Sequence, residues 1–259
     1  MSRVLKQFFY GIFYLIVFVA IATGIFFRYV KPAASCFDGI QNQGEQGIDC
    51  GGPCANFCTA NLAAITSPGA YAFANGPDRV TLLASVVNPN DDFGVVVVPY
   101  HFEIFHPKTG ANVASIPGSI FVYPNQTRYI VLPNYSVTDY ATYPWETDLV
   151  VATSGIAWAP SSTMGVAPVF TFSNVVTTST ASGTVTVSGT LGNQEPIALS
   201  NVEVDVIFEN QYHAPVGATR TVIDSTPASS PVPFSISYPF ATADIVPANT
   251  IVAAYALRQ

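Results

Sequence analysis

The first pattern along this chain is an unbroken apolar run, Phe8 to Phe27 (FFYGIFYLIVFVAIATGIFF), with no charged residue in it. Coiled as a helix at about 1.5 Å per residue, it is long enough to cross a bilayer core of about 30 Å. A buried core helix would show a polar face, and only Tyr10, Tyr14, Thr23 and the glycines interrupt this one. After residue 35 the pattern changes. In VVVVPYHFEIF the alternate positions Val96, Val98, Tyr100, Phe102 and Ile104 make one apolar face, with His101 and Glu103 on the other. In NVEVDVIFEN, Val202, Val204, Val206 and Phe208 point in while Glu203, Asp205 and Glu209 point out. Both are period-two patterns of half-buried strands, and no long amphipathic helix is predicted beyond the first run. The expected fold is all-β behind one transmembrane helix.

The two strand signals share their surroundings. Each follows a strand ending in a polar loop (LLASVVNPNDD, GTVTVSGTLGNQEP) and precedes a turn (HPKTGA, NQYHAPVGA). Setting Asn88 against Asn193, an offset of 105, brings Phe102 and Phe208 within one residue of correspondence. This predicts an internal duplication, with β-sandwich domains over residues 61–160 and 161–259, joined at the Pro/Ser/Gly-rich APSSTMGVAP. The rest of the chain divides into a tail (1–7), the membrane helix (8–27), a linker (28–35) and a cysteine-rich knot (36–58).

Composition sharpens this picture. Charged residues make up only 10% of the chain. From Cys36 onward five basic residues (Arg79, Lys108, Arg128, Arg220, Arg258) face sixteen acidic ones, a net of −11. That leaves no basic patch for nucleic acid or anionic lipid. A cleaved signal carries an apolar region of about 7–15 residues followed closely by a small-residue site. Here Arg28 and Lys31 separate a longer run from Ala33, Ala34 and Ser35. The expectation is an uncleaved signal-anchor in the cell membrane, with a short cytoplasmic N-terminus and the acidic β domains extracytoplasmic. A pilin-type helix is the rival, but no prepilin processing site or early acidic residue accompanies the run.

All four cysteines, Cys36, Cys50, Cys54 and Cys58, fall in CFDGIQNQGEQGIDCGGPCANFC. So short a Gly-, Asn- and Asp-rich segment cannot build a hydrophobic core and needs cross-links. Outside the cytoplasm these are two disulfides, with three pairings open to the sequence. A four-cysteine zinc site is the alternative, though the spacing lacks paired CxxC knuckles. Asp38, Asn42, Glu45 and Asp49 offer oxygen ligands on a turn-prone backbone, as Ca²⁺ prefers. The competing reading is that they cap turns by bonding to the backbone.

The residues Cys36, Asp38, Gly39, Asn42, Glu45, Gly47, Asp49, Cys50, Gly51, Gly52 and Cys54 resemble the short DGxxNxxExGxDCGGxC module of large bacterial and archaeal surface proteins. Here Ala55, Asn56 and Phe57 intervene before Cys58, where the module often has a tighter CxxC. VVNPN with its following strand resembles the water-stress, late-embryogenesis type of immunoglobulin-like domain. The stretch with GTL and SNVEVDVIF resembles the FxLYD-type bacterial envelope domain. Both resemblances imply seven-stranded sandwiches of about 100 residues without catalytic residues.

Chemistry-bearing motifs are few. His101 and His106, separated by an odd number of residues, face opposite sides of a regular strand roughly 17 Å apart, and His213 sits in a turn. There is no GxSxG elbow, HExxH or phosphate loop, and an enzyme is not expected. Asp91 and Asp92 follow NPN in a loop, where turn capping explains them. Tyr135, Tyr140, Tyr143 and Trp145 in NYSVTDYATYPWETD could seat a glycan or a protein partner, or pack over a sandwich edge. Asn125-Gln-Thr and Asn134-Tyr-Ser are glycosylation sequons only in a glycosylating host. The expectation is a surface protein that presents its β domains to a protein or glycan partner. The alternative is an envelope component that self-associates or docks on a larger membrane complex.

Overall fold

A computed structural model of the protein describes residues 3–30, 35–76, 78–106, 108–137, 146–180, 183–240 and 244–258. The chain divides into two compact units, Met1–Asn61 and Leu62–Gln259.

In the first unit, α1 (Arg3–Ile25) runs on through a π-helical turn over Phe26–Val30. The helix starts before the apolar run because Arg3 to Gln7 hold good helix formers and nothing that breaks the backbone ladder. The span Leu5–Arg28 is long and apolar enough to cross a membrane, and none of it is buried by the rest of the protein. Residues 35–58 hold turns and one isolated bridge between Gly47 and Cys50, with no strand or helix.

The second unit is all β. Its strands are β1 (Ala70–Ala74), β2 (Arg79–Val87), β3 (Phe93–Phe105), β4 (Asn112–Val122), β5 (Thr127–Ser136), β6 (Glu146–Val151) and β7 (Trp158–Pro160). After a single helical turn, α2 (Ser161–Met164), come β8 (Phe170–Ser179), β9 (Val185–Asn193) and β10 (Leu199–Glu209). The last three are β11 (Pro215–Thr226), β12 (Pro231–Tyr238) and β13 (Ile251–Tyr255). Sheets β1-β2-β5 and β4-β3-β6, the latter extended by β7 on β3, are followed by sheets β8-β9-β12 and β11-β10-β13. The order of the first pair recurs strand for strand in the second.

Each pair of sheets encloses its own core. Val80, Leu82, Ala84, Val86 and Ile130 meet Val98, Phe102, Ile104, Ile120 and Leu149 in one. Val185, Val187, Leu191, Phe234 and Ile236 meet Val202, Val204, Val206 and Phe208 in the other. Asn88 directly follows the central strand β2, and Asn193 ends the central strand β9. Asn88 Nδ2 donates to the carbonyls of Phe93 and Tyr123, and its Oδ1 accepts from Asn90 N. Asn193 Nδ2 donates to the carbonyls of Ile197 and Thr226, and its Oδ1 accepts from Glu195 N. One side chain thus pins the same corner in each half.

Two details depart from the sequence pattern. Val96 is exposed and Val95 buried, because a register shift between Val95 and Val98 reverses the alternation there. Asp205 and Glu209, expected to face solvent, are buried. The cause is a third apolar cluster. Leu83 and Val131, cross-strand partners on β2 and β5, pack with Ile207 and Ala218, cross-strand partners on β10 and β11. Leu83 lies between Leu82 and Ala84 of the first core, and Ile207 between Val206 and Phe208 of the second. Since successive side chains alternate faces, β2 and β10 are buried on both. A seam of sheet against sheet joins the two halves.

Candidate functional site: the cysteine knot and the polar seam

The knot over residues 36–58 is closed by two disulfides, Cys36–Cys54 and Cys50–Cys58. No described cysteine is free. A four-cysteine zinc site therefore has no thiolates to build on, and the pairing left open by the sequence is settled.

The candidate calcium ligands serve the backbone. Asp49 accepts from Asp38 N and Gly39 N, both at 2.9 Å, tying the start of the knot to its middle. Asp38 accepts from Ile40 N, Ser35 N and the side-chain amide of Asn42. The Asn42 amide, with these backbone donors, holds the Asp38 carboxyl below its ordinary 3.8. Glu45 is buried, and its Oε2 accepts from Asn42 N and Asp49 N. Those bonds offset the cost of burying a carboxylate. Glu45 Oε1 lies 3.0 Å from Cys54 Sγ, a sulphur that has no proton to donate while it is bridged. Among the described residues, the one grouping of acidic, Cys or His ligand atoms within 4.8 Å is Cys36, Glu45 and Cys54. Its two sulphurs are spent on each other, so it does not fit a metal.

Glycine fits the tightest points of the knot. Gly52 has φ +57°, and a Cβ there would sit 2.3 Å from the carbonyl oxygen of Gly44. The glycine at position 52 is thus a steric requirement of the loop. The knot leaves large apolar side chains outside: Phe37 is 84% exposed, Ile40 58%, Ile48 62% and Phe57 51%. Their place in a segment too short to build a core is the sequence signal that marks these four as outward-facing.

The second concentration of polar groups lies along the seam. Arg128, only 1% exposed, donates from Nη1 to Phe121 O at 2.8 Å and pairs with Glu203. Its guanidinium sits 3.9 Å from the Phe121 ring centroid and 4.9 Å from that of Tyr255. Arg220 Nε donates to Asp205 Oδ1 at 2.7 Å, and Arg220 also reaches Glu203 at 3.5 Å. Burial pushes the Asp205 carboxyl up, against the pull of Arg220. Burial draws Arg128 down, against Glu203. Tyr129 N donates to Tyr255 Oη at 3.0 Å, and Arg258 N to Tyr123 Oη at 2.8 Å. Burial pushes the Tyr238 hydroxyl up to about 12. Nothing in the sequence marked Arg128, since a lone arginine in a strand reads as exposed.

Other singled-out residues scatter. Tyr135 packs half-buried against the first core. Tyr140, Tyr143 and Trp145 lie outside the described residues. His101 stands 3.2 Å from Glu103, and His213 Nδ1 stands 3.0 Å from Glu209.

No protein-family model matches this chain, and no curated protein sequence matches it. Among solved structures it is similar to red sea bream transglutaminase, with 11% identity and a TM-score of 0.28. That similarity covers 76% of this chain and 32% of the transglutaminase chain, and so weak a likeness carries no argument.

Proposed function

We propose that the protein is a membrane-anchored, extracytoplasmic structural or interaction protein that works by contact rather than catalysis. α1 holds it in the bilayer, the cross-linked knot follows in the chain, and two immunoglobulin-like sandwiches form one body that meets a protein or glycan partner. The observation that carries this reading is the Leu5–Arg28 span, apolar and uncovered along its whole length. Left in water, that surface would cost about 25 cal/mol for every Å², and lipid removes the cost. The disulfides add support, because such bonds persist in oxidising compartments. Arg28 and Lys31 beyond the run favour retention of the helix over its removal as a signal. The knot carboxylates act as turn caps in this reading.

The test is protease treatment of intact cells, with the cysteine redox state read in the same sample. Digestion of Leu62–Gln259 from outside with four oxidised cysteines is expected. Protection with free thiols would overturn the reading.

A second reading is favoured by a separate observation. Strands β8, β9 and β12 contain no Asp, Glu, Lys or Arg. Their outer rows align Thr178, Thr186 and Ser237, and next to them Val176, Ser188 and Ser235. On so acidic a protein, a charge-free face is where two copies can meet without repulsion. Self-association in an envelope assembly would appear as a concentration-dependent sedimentation shift of the detergent-solubilised chain.

A further inference from the structure

We infer that the cysteine knot is itself a lipid-contacting element, with Phe37, Ile40, Ile48 and Phe57 entering the boundary between headgroups and acyl chains. The inference rests on the anchored reading of α1 and adds a second, interfacial contact to it.

Three observations converge. The knot exposes four large apolar side chains, all more than half accessible, in a segment of 23 residues. Its own bonds hold the backbone segments that bear them close together. The Asp49 carboxylate holds Asp38 N and Gly39 N, which sets the segment bearing Phe37 and Ile40 beside Ile48. The Cys50–Cys58 bridge brings Phe57, next to Cys58, towards the same stretch. Finally, the linker limits the distance. Arg28 to Ser35 is eight residues, at most ~28 Å when fully extended. With the helix in the bilayer, the knot stays within that distance of the membrane and the headgroups are within its reach.

Lipid is the occupant this chemistry selects. The knot carries Asp38, Glu45 and Asp49 and no cation, so an anionic surface would repel it. All three carboxylates are engaged with backbone donors inside the knot. Its outward chemistry is therefore uncharged, these four apolar groups standing among the exposed amides of Gln41, Gln43, Gln46 and Asn56, which suits a neutral, zwitterionic interface.

The experiment uses the full chain in phosphatidylcholine liposomes doped with phosphatidylcholine carrying a diazirine on its acyl chain. After irradiation, adducts are mapped by mass spectrometry. The expected result is label on residues 8–27 and also on peptides containing Phe37, Ile40, Ile48 or Phe57. Label confined to the helix would overturn the inference and leave the anchor standing. Label on neither would overturn both. A variant with Phe37→Ser and Phe57→Ser, checked by non-reducing mass for both disulfides, is expected to lose the knot label and keep the helix label. Unchanged knot labelling in that variant would overturn the assignment to these side chains.

Discussion

The knot and the β unit solve the same problem by opposite means. The knot has no buried apolar cluster and turns its largest hydrophobic side chains outward. Two covalent bonds and three carboxylates on backbone N–H groups hold it. The β unit has no cysteine and hides three apolar clusters, with its most deeply buried ion pairs along the seam between its sandwiches. Folding entropy must be met from burial where a chain is long enough to bury surface, and by cross-linking where it is not. The two units should therefore fail independently, under different insults.

The largest effect is expected from Phe208→Ala, which opens a cavity between the two sheets of the second sandwich. About 3–5 kcal/mol should be lost from the β unit, read as a lower denaturation midpoint, while hydrogen exchange in residues 36–58 stays unchanged. Next comes replacement of Cys36 and Cys54 by serine. The bridge spans 18 residues, and its loss should cost the knot about 3 kcal/mol. The sign of success is faster exchange in the knot with no shift in the β-unit midpoint. A drop in that midpoint would break the comparison.

Arg128→Ala probes the seam. It strips packing from Phe121 and Tyr255 and removes one of the two cations beside Glu203, which keeps Arg220 at 3.5 Å and, at 27% exposed, can recover water. A loss of about 2–3 kcal/mol is expected, below the full cost of a broken buried pair. Exchange should rise along β5 and β10 together. Asp49→Ala should cost the knot about 1–2 kcal/mol by freeing two backbone donors, seen as faster exchange at Asp38 and Gly39. The smallest effect is acid. The folded pKa of Asp38 is lowered, so its contribution is present above 3.8 and is lost as pH falls through the lower folded value. Exchange at Ser35 and Ile40, normalised for pH, should quicken only in that range.

Much of the β unit was legible because half-buried strands write themselves as alternation. Val202, Val204, Val206 and Phe208 all lie in the core facing them. Alternation fails where both faces are buried, and there the reading failed too. Asp205 was read as solvent-facing because nothing local says that a second sheet covers it. Its burial depends on Leu83 and Val131, residues far away in sequence. The bulge at Val95 was illegible for a related reason: four valines in a row carry no phase. In the knot, cysteine spacing announced cross-links but not which sulphurs meet. The carboxylates announced oxygen chemistry without saying whether a cation or the backbone receives it, since Asp and Glu suit both.

The seam also has a consequence in time. A chain made from its N-terminus completes β1 to β7 while β10 and β11 do not yet exist. Leu83 and Val131, with Phe73 and Tyr129 beside them, then form a hydrophobic sheet face open to water and to other nascent chains. At about 5–20 residues per second, the stretch up to Ala218 takes roughly 3–12 s to emerge. A first sandwich that folds within that interval carries this apolar face uncovered. Its safe delivery depends on whatever shields that face until the second half of the chain arrives to cover it.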